Sequence, residues 1–219
     1  MATHSKTDRH YVVAFDICSS TAMLDQLTKS DRMHLWALML RALHDHLVLG
    51  RNLFRLELHK FTGDGWLLFF PETMEGDAVF DFLGGLARHH LRLHQGTIEP
   101  ALLKPPTIVG LTFGMDAGAL ARVKMDGRME YVGWPLNMAC RLQGAIKDFD
   151  KTPNGRVLMT RELYEKKKGT LERFQPSVVF RRLRGIQNDK LIACVKLALD
   201  VAIDPKFKCD ENLVAATNS

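Results

Sequence analysis

The segment from Leu56 to Phe70, LELHKFTGDGWLLFF, constrains the fold of this chain more than any other. It reads as two strands joined by a tight turn. Phe54, Leu56 and Leu58 share one parity, hence one strand face, and Lys60 continues that row. A lysine closing an apolar face is costly to desolvate unless an anionic or hydrogen-bonding group meets it. Gly63-Asp64-Gly65 supplies backbone permissive of positive φ with a carboxylate at its centre. Trp66 to Phe70 is apolar on both faces, the pattern of a strand covered on both sides. Alone, the segment fits an ordinary hairpin with Asp64 as a turn former and Lys60 reaching to water. Its partners elsewhere decide whether it is a site.

A chain of 219 residues, 46% apolar and 25% charged, suits one globular domain with its own core. No apolar run approaches the roughly 20 residues that span a bilayer, and the first residues lack a signal-peptide core. A cytoplasmic location is therefore expected. Cys18, Cys140, Cys194 and Cys209 form no CxxC pair, as in reduced cytosolic chains. A net charge of +5 favours an anionic partner and leaves nucleotide, nucleic acid and simple solvation open.

Residues 1–9 read as a flexible terminus, 10–199 as the domain and 200–219 as a tail. Tyr11 to Phe15 is a buried strand ending at Asp16-Ile17, where a carboxylate is costly unless paired or metal-bound. Ser19, Ser20 and Thr21 can each cap a helix beginning there, and such a helix start beside an acidic strand end could hold phosphates and a bridging metal. Ser30-Asp31 reads as the N-cap of a long helix with Met33, Trp36, Leu40, Leu43 and Leu47 on one face and Gly50 as its stop. After the hairpin a helix runs to about Gln95 and closes at Gly96. Thr107–Met115 and Ala119–Met125 read as two strands, with a hairpin turn at Asp126-Gly127. Pro135 opens a helix on which Asn137 and Arg141, four apart, share a face. Val157–Met159 is a short strand. Thr160 caps a helix ended by Gly169, and Val178–Leu183 with Lys190–Leu197 forms a final strand pair.

Four pieces, FDICSST from Phe15, KFTGDG from Lys60, EYVGWPLNMACRL from Glu130 and LRGI from Leu183, occur in an order that resembles the class III nucleotidyl cyclase domain. The resemblance covers roughly residues 10 to 197. It implies an α+β, ferredoxin-like domain with a mixed, mostly antiparallel sheet and helices packed on one side. It also implies that Asp16 and Asp64, with the carbonyl of Ile17, bind two divalent ions, Mg²⁺ or Mn²⁺, for which hard oxygen ligands are suited. Asn137 matches the family's ribose-orienting residue, and Arg141 the one that steadies charge on the α-phosphoryl group. Arg184 falls where the family usually carries a phosphate-binding lysine, and Ser19, Ser20 and Thr21 lie at the phosphate end. The family works as a head-to-tail dimer with composite sites. One chain carrying both halves of a site implies a homodimer.

Lys60 falls at the family's base-reading lysine, and Glu130 at the position of its partner, usually aspartate or threonine. Lysine donating to O4 and glutamate accepting from N3–H complements uracil, but the same pair could meet adenine. The longer glutamate leaves less room for a purine. The chain reads as a stand-alone domain whose Glu-Tyr-Val-Gly segment resembles the pyrimidine cyclases of bacterial antiphage Pycsar systems, which make cyclic UMP or cyclic CMP. The expectation is UTP converted to cyclic UMP, with a separate effector protein as receiver. The alternatives are an adenylate cyclase or an inactive nucleotide-binding module. A nucleic-acid or membrane partner is not expected, since the positive charge is dispersed without interleaved aromatics.

His90 and His94, four apart, could bind zinc but read better as an exposed helix face. His44-Asp45-His46 reads as a solvated helix end, and Cys18 as packing. Trp134 is equally a base-pocket or an interface residue.

Overall fold

The computed structural model describes residues 7–147, 152–186 and 191–201. The elements are β1 (Thr7–Ile17), α1 (Ser20–Lys29), α2 (Met33–Phe54), β2 (Glu57–Phe61), β3 (Gly65–Pro71), α3 (Gly76–Leu93), β4 (Leu111–Met125), β5 (Arg128–Val132), α4 (Trp134–Lys147), β6 (Arg156–Thr160), α5 (Arg161–Leu171), β7 (Ser177–Arg182) and β8 (Leu191–Ala198). The strands form one sheet in the order β2-β3-β1-β4-β6-β8-β7, with β5 paired to the far half of β4. Only the β4–β6 pair is parallel among those described. This is the expected α+β, mostly antiparallel architecture.

The apolar run of β1 explains its central place. Tyr11, Val13, Phe15 and Ile17 face the main core with Leu68, Phe70 and Phe113, under Met23, Trp36, Leu43, Leu83 and Leu163 of α1, α2, α3 and α5. Each such side chain, fully buried, contributes about 1.5–3 kcal/mol. These helices make the expected layer on one side. Val12 and Ala14 point the other way, with Leu67, Phe69, Leu120, Tyr131 and Ala139, and here α4 lies across the sheet. Gly114 permits that crossing, because a Cβ there would stand 2.0 Å from the Ala139 carbonyl oxygen and 2.2 Å from the Gln143 nitrogen.

Several boundaries differ from the sequence reading. β1 begins at Thr7, so the sheet reaches three residues into the segment read as flexible; residues 1–6 and 202–219 lie outside the described residues. Ser30 and Asp31 do not cap α2. The Ser30 hydroxyl donates to the Gln26 carbonyl at the end of α1. α2 runs through Gly50, which is a contact glycine: a Cβ would meet the Phe82 ring at 2.4 Å. The helix ends at Phe54, where Arg55 turns left-handed at φ 47°. The two strands read at 107–125 are one, β4, starting at Leu111 and paired with β1 from Thr7 to Ile17. α3 ends at Leu93 and a wide π-type turn, His94–Ile98, carries the chain through Gly96. α5 is capped by Thr160 as expected, but passes Gly169 to bury Leu171. β7 and β8 pair as expected, while Lys190 lies outside the described residues. Among the described residues no helix is long and apolar enough to cross a membrane.

Candidate active site

Strand pairing brings together the two aspartates singled out in the sequence. Asp16 at the end of β1 stands opposite Gly65, and the Ile17 amide donates to the Asp64 carbonyl at 3.2 Å. The turn between β2 and β3 closes with the Thr62 amide donating to the Gly65 carbonyl at 2.9 Å, and Gly63 takes φ +106°. Gly65 must lack a side chain, since its Cβ would fall 1.8 Å from the Phe15 carbonyl oxygen. Both aspartates are half-buried. Of the hydroxyls at the start of α1, Ser20 is 5% exposed and donates to Asp64 Oδ2 at 2.5 Å, Ser19 donates to the Ile108 carbonyl at 2.8 Å, and Thr21 is exposed.

Two carboxylates at adjoining positions, with the Ser20 hydroxyl on one of them, supply oxygen donors of the kind suited to hard cations such as Mg²⁺ or Mn²⁺. Among the described residues no three His, Cys, Asp or Glu side chains gather as a metal cage. His90 and His94, read as an exposed face, are buried at 0% and 2% exposure. Their helix packs into the core, and burial drives the His90 pKa down to about 3.

The second group sits on α4. Asn137 and Arg141 are exposed on successive turns, whereas Met138, Ala139 and Leu142 are buried against the sheet. Gln143 Nε2 donates to Thr112 Oγ1 at 3.0 Å, and Thr112 stands opposite Asp16 in the β1–β4 pair, so α4 is tied to the strand beside the carboxylates. Arg141 Nη2 lies 4.0 Å from where a Gly185 Cβ would be. The exposed Arg184 turn and Arg141 are therefore neighbours.

The third group corrects the reading of Lys60. The β2–β3 register shifts between Leu58 and Lys60: Leu58 pairs with Leu68, but Lys60 pairs with Leu67. A bulge at His59 breaks the alternation and moves Lys60 off the apolar row of Leu56 and Leu58. Lys60 is exposed and shares its face with Leu67, Phe69 and Tyr131, the face on which α4 lies. Glu130 reaches the same region from β5, with Oε2 3.6 Å from His59 Nε2. Tyr131, next along β5, donates its hydroxyl to Glu57 Oε2 at 2.9 Å. The roles of His59 and Glu57 had no mark in the sequence, because a bulge leaves no compositional trace.

The fold compares closely with solved cyclases. An adenylyl cyclase, CyaB from P. aeruginosa, superposes with a TM-score of 0.61 at 19% identity, over 88% of this chain and 96% of that one. The guanylyl cyclase Cya2 gives 0.64 at 14% identity, over 90% and 100%. The guanylate cyclase domain of RhGC from Catenaria anguillulae, in complex with GTP, gives 0.60 at 13% identity, over 89% and 98%. The fold is that of a nucleotide cyclase catalytic domain. No family profile matches the chain, and no curated protein sequence matches it. Within this cyclase fold, Lys60 and Glu130 lie on the sheet face crossed by α4, and Asn137 and Arg141 lie on the exposed side of that helix. A cavity of about 390 Å³ is floored by buried Asp116 and bordered by Trp134, Glu162 and Lys166; Trp134, read from the sequence as equally a base-pocket or an interface residue, lines it, whereas Asp16, Asp64, Lys60, Glu130, Asn137 and Arg141 do not. Asp116 accepts from Thr160 Oγ1 at 3.0 Å, and burial raises its carboxyl to about 6.

Proposed function

We propose that this protein is a nucleotidyl cyclase that converts UTP to cyclic UMP and pyrophosphate. The observation that carries the reading is the cross-strand placement of Asp16 beside the Asp64 turn in a cyclase fold. In the reaction the ribose 3′-oxygen forms a bond to the α-phosphorus, the α–β phosphoanhydride bond breaks, and the 3′-hydroxyl proton leaves to solvent. Asp16, Asp64 and the Ile17 carbonyl would hold two Mg²⁺ or Mn²⁺ ions, which supply 3′-hydroxyl acidity and charge neutralisation at the phosphates when bound. Ser20 orients the Asp64 carboxylate, and Ser19 and Thr21 lie beside it at the phosphate end. Asn137 orients the ribose. Arg141, with Arg184 next to it, neutralises charge gathering on the phosphoryl oxygens.

Asn137 and Arg141 face solvent in the single chain, which supports completion of each site by a second copy in a homodimer. Exposed Phe61, Met129, Val132 and Trp134 supply apolar surface for that contact. Cys18 and Cys194, buried and not disulfide-bonded, agree with a reducing cytoplasm.

Lys60 and Glu130 read the base as donor and acceptor. The aromatic packing of His59, Phe69 and Tyr131 behind them supports a small base, hence uracil. The same donor and acceptor fit adenine, so ATP to cyclic AMP is the second reading. We extend the first reading to an antiphage second messenger received by a separate effector protein. The deciding experiment incubates the protein with each of the four NTPs and Mn²⁺, measures pyrophosphate and identifies the product by mass spectrometry. Cyclic UMP is expected. Cyclic AMP alone would move the assignment to ATP, and nucleotide binding without pyrophosphate would make the chain an inactive binding module.

A further inference from the structure

The site face of β2 carries an imidazole outside the reaction as described so far. His59 is the bulged residue of the strand, and its side chain is only 7% exposed. Its ring stacks on Phe69, with centroids 4.8 Å apart and planes at 24°, and meets the Tyr131 ring edge-on at 5.3 Å. Two aromatic contacts at right angles leave the ring little freedom. The bulge that seats His59 also turns Lys60 to this face.

We infer that His59 is a positioning residue for nucleobase recognition, holding the Glu130 carboxylate at a set place beside Lys60 so that the two meet a base as one acceptor–donor pair. The inference rests on the cyclase reading above. Glu130 belongs to β5, a short strand that among the described residues pairs only with the outer half of β4. Such a ribbon needs a second anchorage to carry a side chain that reads hydrogen bonds. Two contacts with β2 provide it: the Tyr131 hydroxyl on Glu57 Oε2 at 2.9 Å, and His59 Nε2 facing Glu130 Oε2 at 3.6 Å. The first fixes the ribbon; the second fixes the carboxylate. At 3.6 Å the contact is electrostatic rather than a formed hydrogen bond, and a small closure on nucleotide binding would complete it. Burial lowers the pKa of His59, while Glu130 and Glu57 oppose that shift. A neutral imidazole with its proton on Nε2 steers the carboxylate without a full charge competing with Lys60 for it.

The test compares kcat/KM for all four NTPs in the wild type, His59→Phe and His59→Gln. Phenylalanine keeps the ring stack and loses the Nε2 donor; glutamine places an amide N–H near the Nε2 position. His59→Phe should lower the ratio of best to second-best nucleotide about fivefold, through KM with kcat little changed. His59→Gln should retain the ratio. An unchanged ratio in His59→Phe, or equal losses in both variants, would overturn the inference and leave the cyclase reading standing. Should His59→Phe fail to fold, His59→Asn replaces it, since its amide lies near Nδ1. Loss with Asn but not Gln supports the inference, and equal behaviour overturns it. A wild type that turns over no nucleotide removes the cyclase reading and this inference with it.

Discussion

Ser20 and Asp64, one at the first turn of α1 and the other between β2 and β3, are joined by a hydroxyl–carboxylate hydrogen bond of 2.5 Å. The bond fixes one carboxylate oxygen, so the charge on Asp64 can be removed without disturbing its place. Asp64→Asn keeps an acceptor for Ser20. Pyrophosphate release should fall at least about 100-fold, with the melting temperature within a few degrees of wild type. Activity near the wild-type level would take Asp64 out of the site.

Arg141 faces solvent on α4 beside the Arg184 turn, so truncating it should cost little in folding. Arg141→Ala is expected to lower kcat far more than it weakens nucleotide binding, because its charge matters most as the phosphoanhydride bond breaks. Mixing Arg141→Ala with Asp64→Asn should restore roughly a quarter of wild-type activity, since half the dimers are mixed and each holds one intact site of two. Mixed dimers that form but stay inactive would argue against shared sites.

Asp116 should leave its mark in the pH dependence of stability. Its folded carboxyl is raised to about 6 by burial, from an unfolded value of 3.8. The folded state therefore binds the proton more tightly, and stability falls as pH rises between these two values. Above pH 6 the ionised group costs about 2–3 kcal/mol. Asp116→Asn should be little different from wild type at pH 4 and more stable at pH 7.5, as measured by urea midpoints. A difference independent of pH would mean that the carboxyl titrates normally.

His90 works in the opposite direction. Both its ring nitrogens are buried without a hydrogen-bond partner among the described residues, and its pKa is lowered to about 3. The folded state excludes the proton, so the stability present above pH 6.5 is lost as pH falls from there towards 3. His90→Leu should raise stability by roughly 1–3 kcal/mol at pH 7, and by more at pH 5. Destabilisation at both values would point to a hydrogen bond made by the native ring.

Much of the scaffold was legible because burial writes itself into composition. Tyr11–Phe15 and Trp66–Phe70 are apolar on both faces and became neighbouring inner strands. Asp16 and the Gly63–Gly65 turn stood out as polar interruptions of such runs, and pairing placed them side by side. What stayed hidden depends on contacts between distant segments. Gly50 looked like a helix stop because its tight contact with Phe82, far along the chain, has no local sign. His90 and His94 read as solvent-facing because histidine is polar, although the end of α3 and the turn that follows it meet the core. Lys60 was placed on the wrong side of its strand, since alternation gives no notice of an added residue.

That added residue has a consequence for changing what the protein recognises. With His59 between them, Leu58 looks into the core while Lys60 looks towards α4. Ironing out the bulge with every residue kept would act like a frameshift in space: Lys60 would step from its place opposite Leu67 to one opposite Trp66, and the hairpin's only cation would leave the α4 surface for the core row. Substrate choice in such a hairpin can thus be rewritten by register alone, with every chemical letter kept.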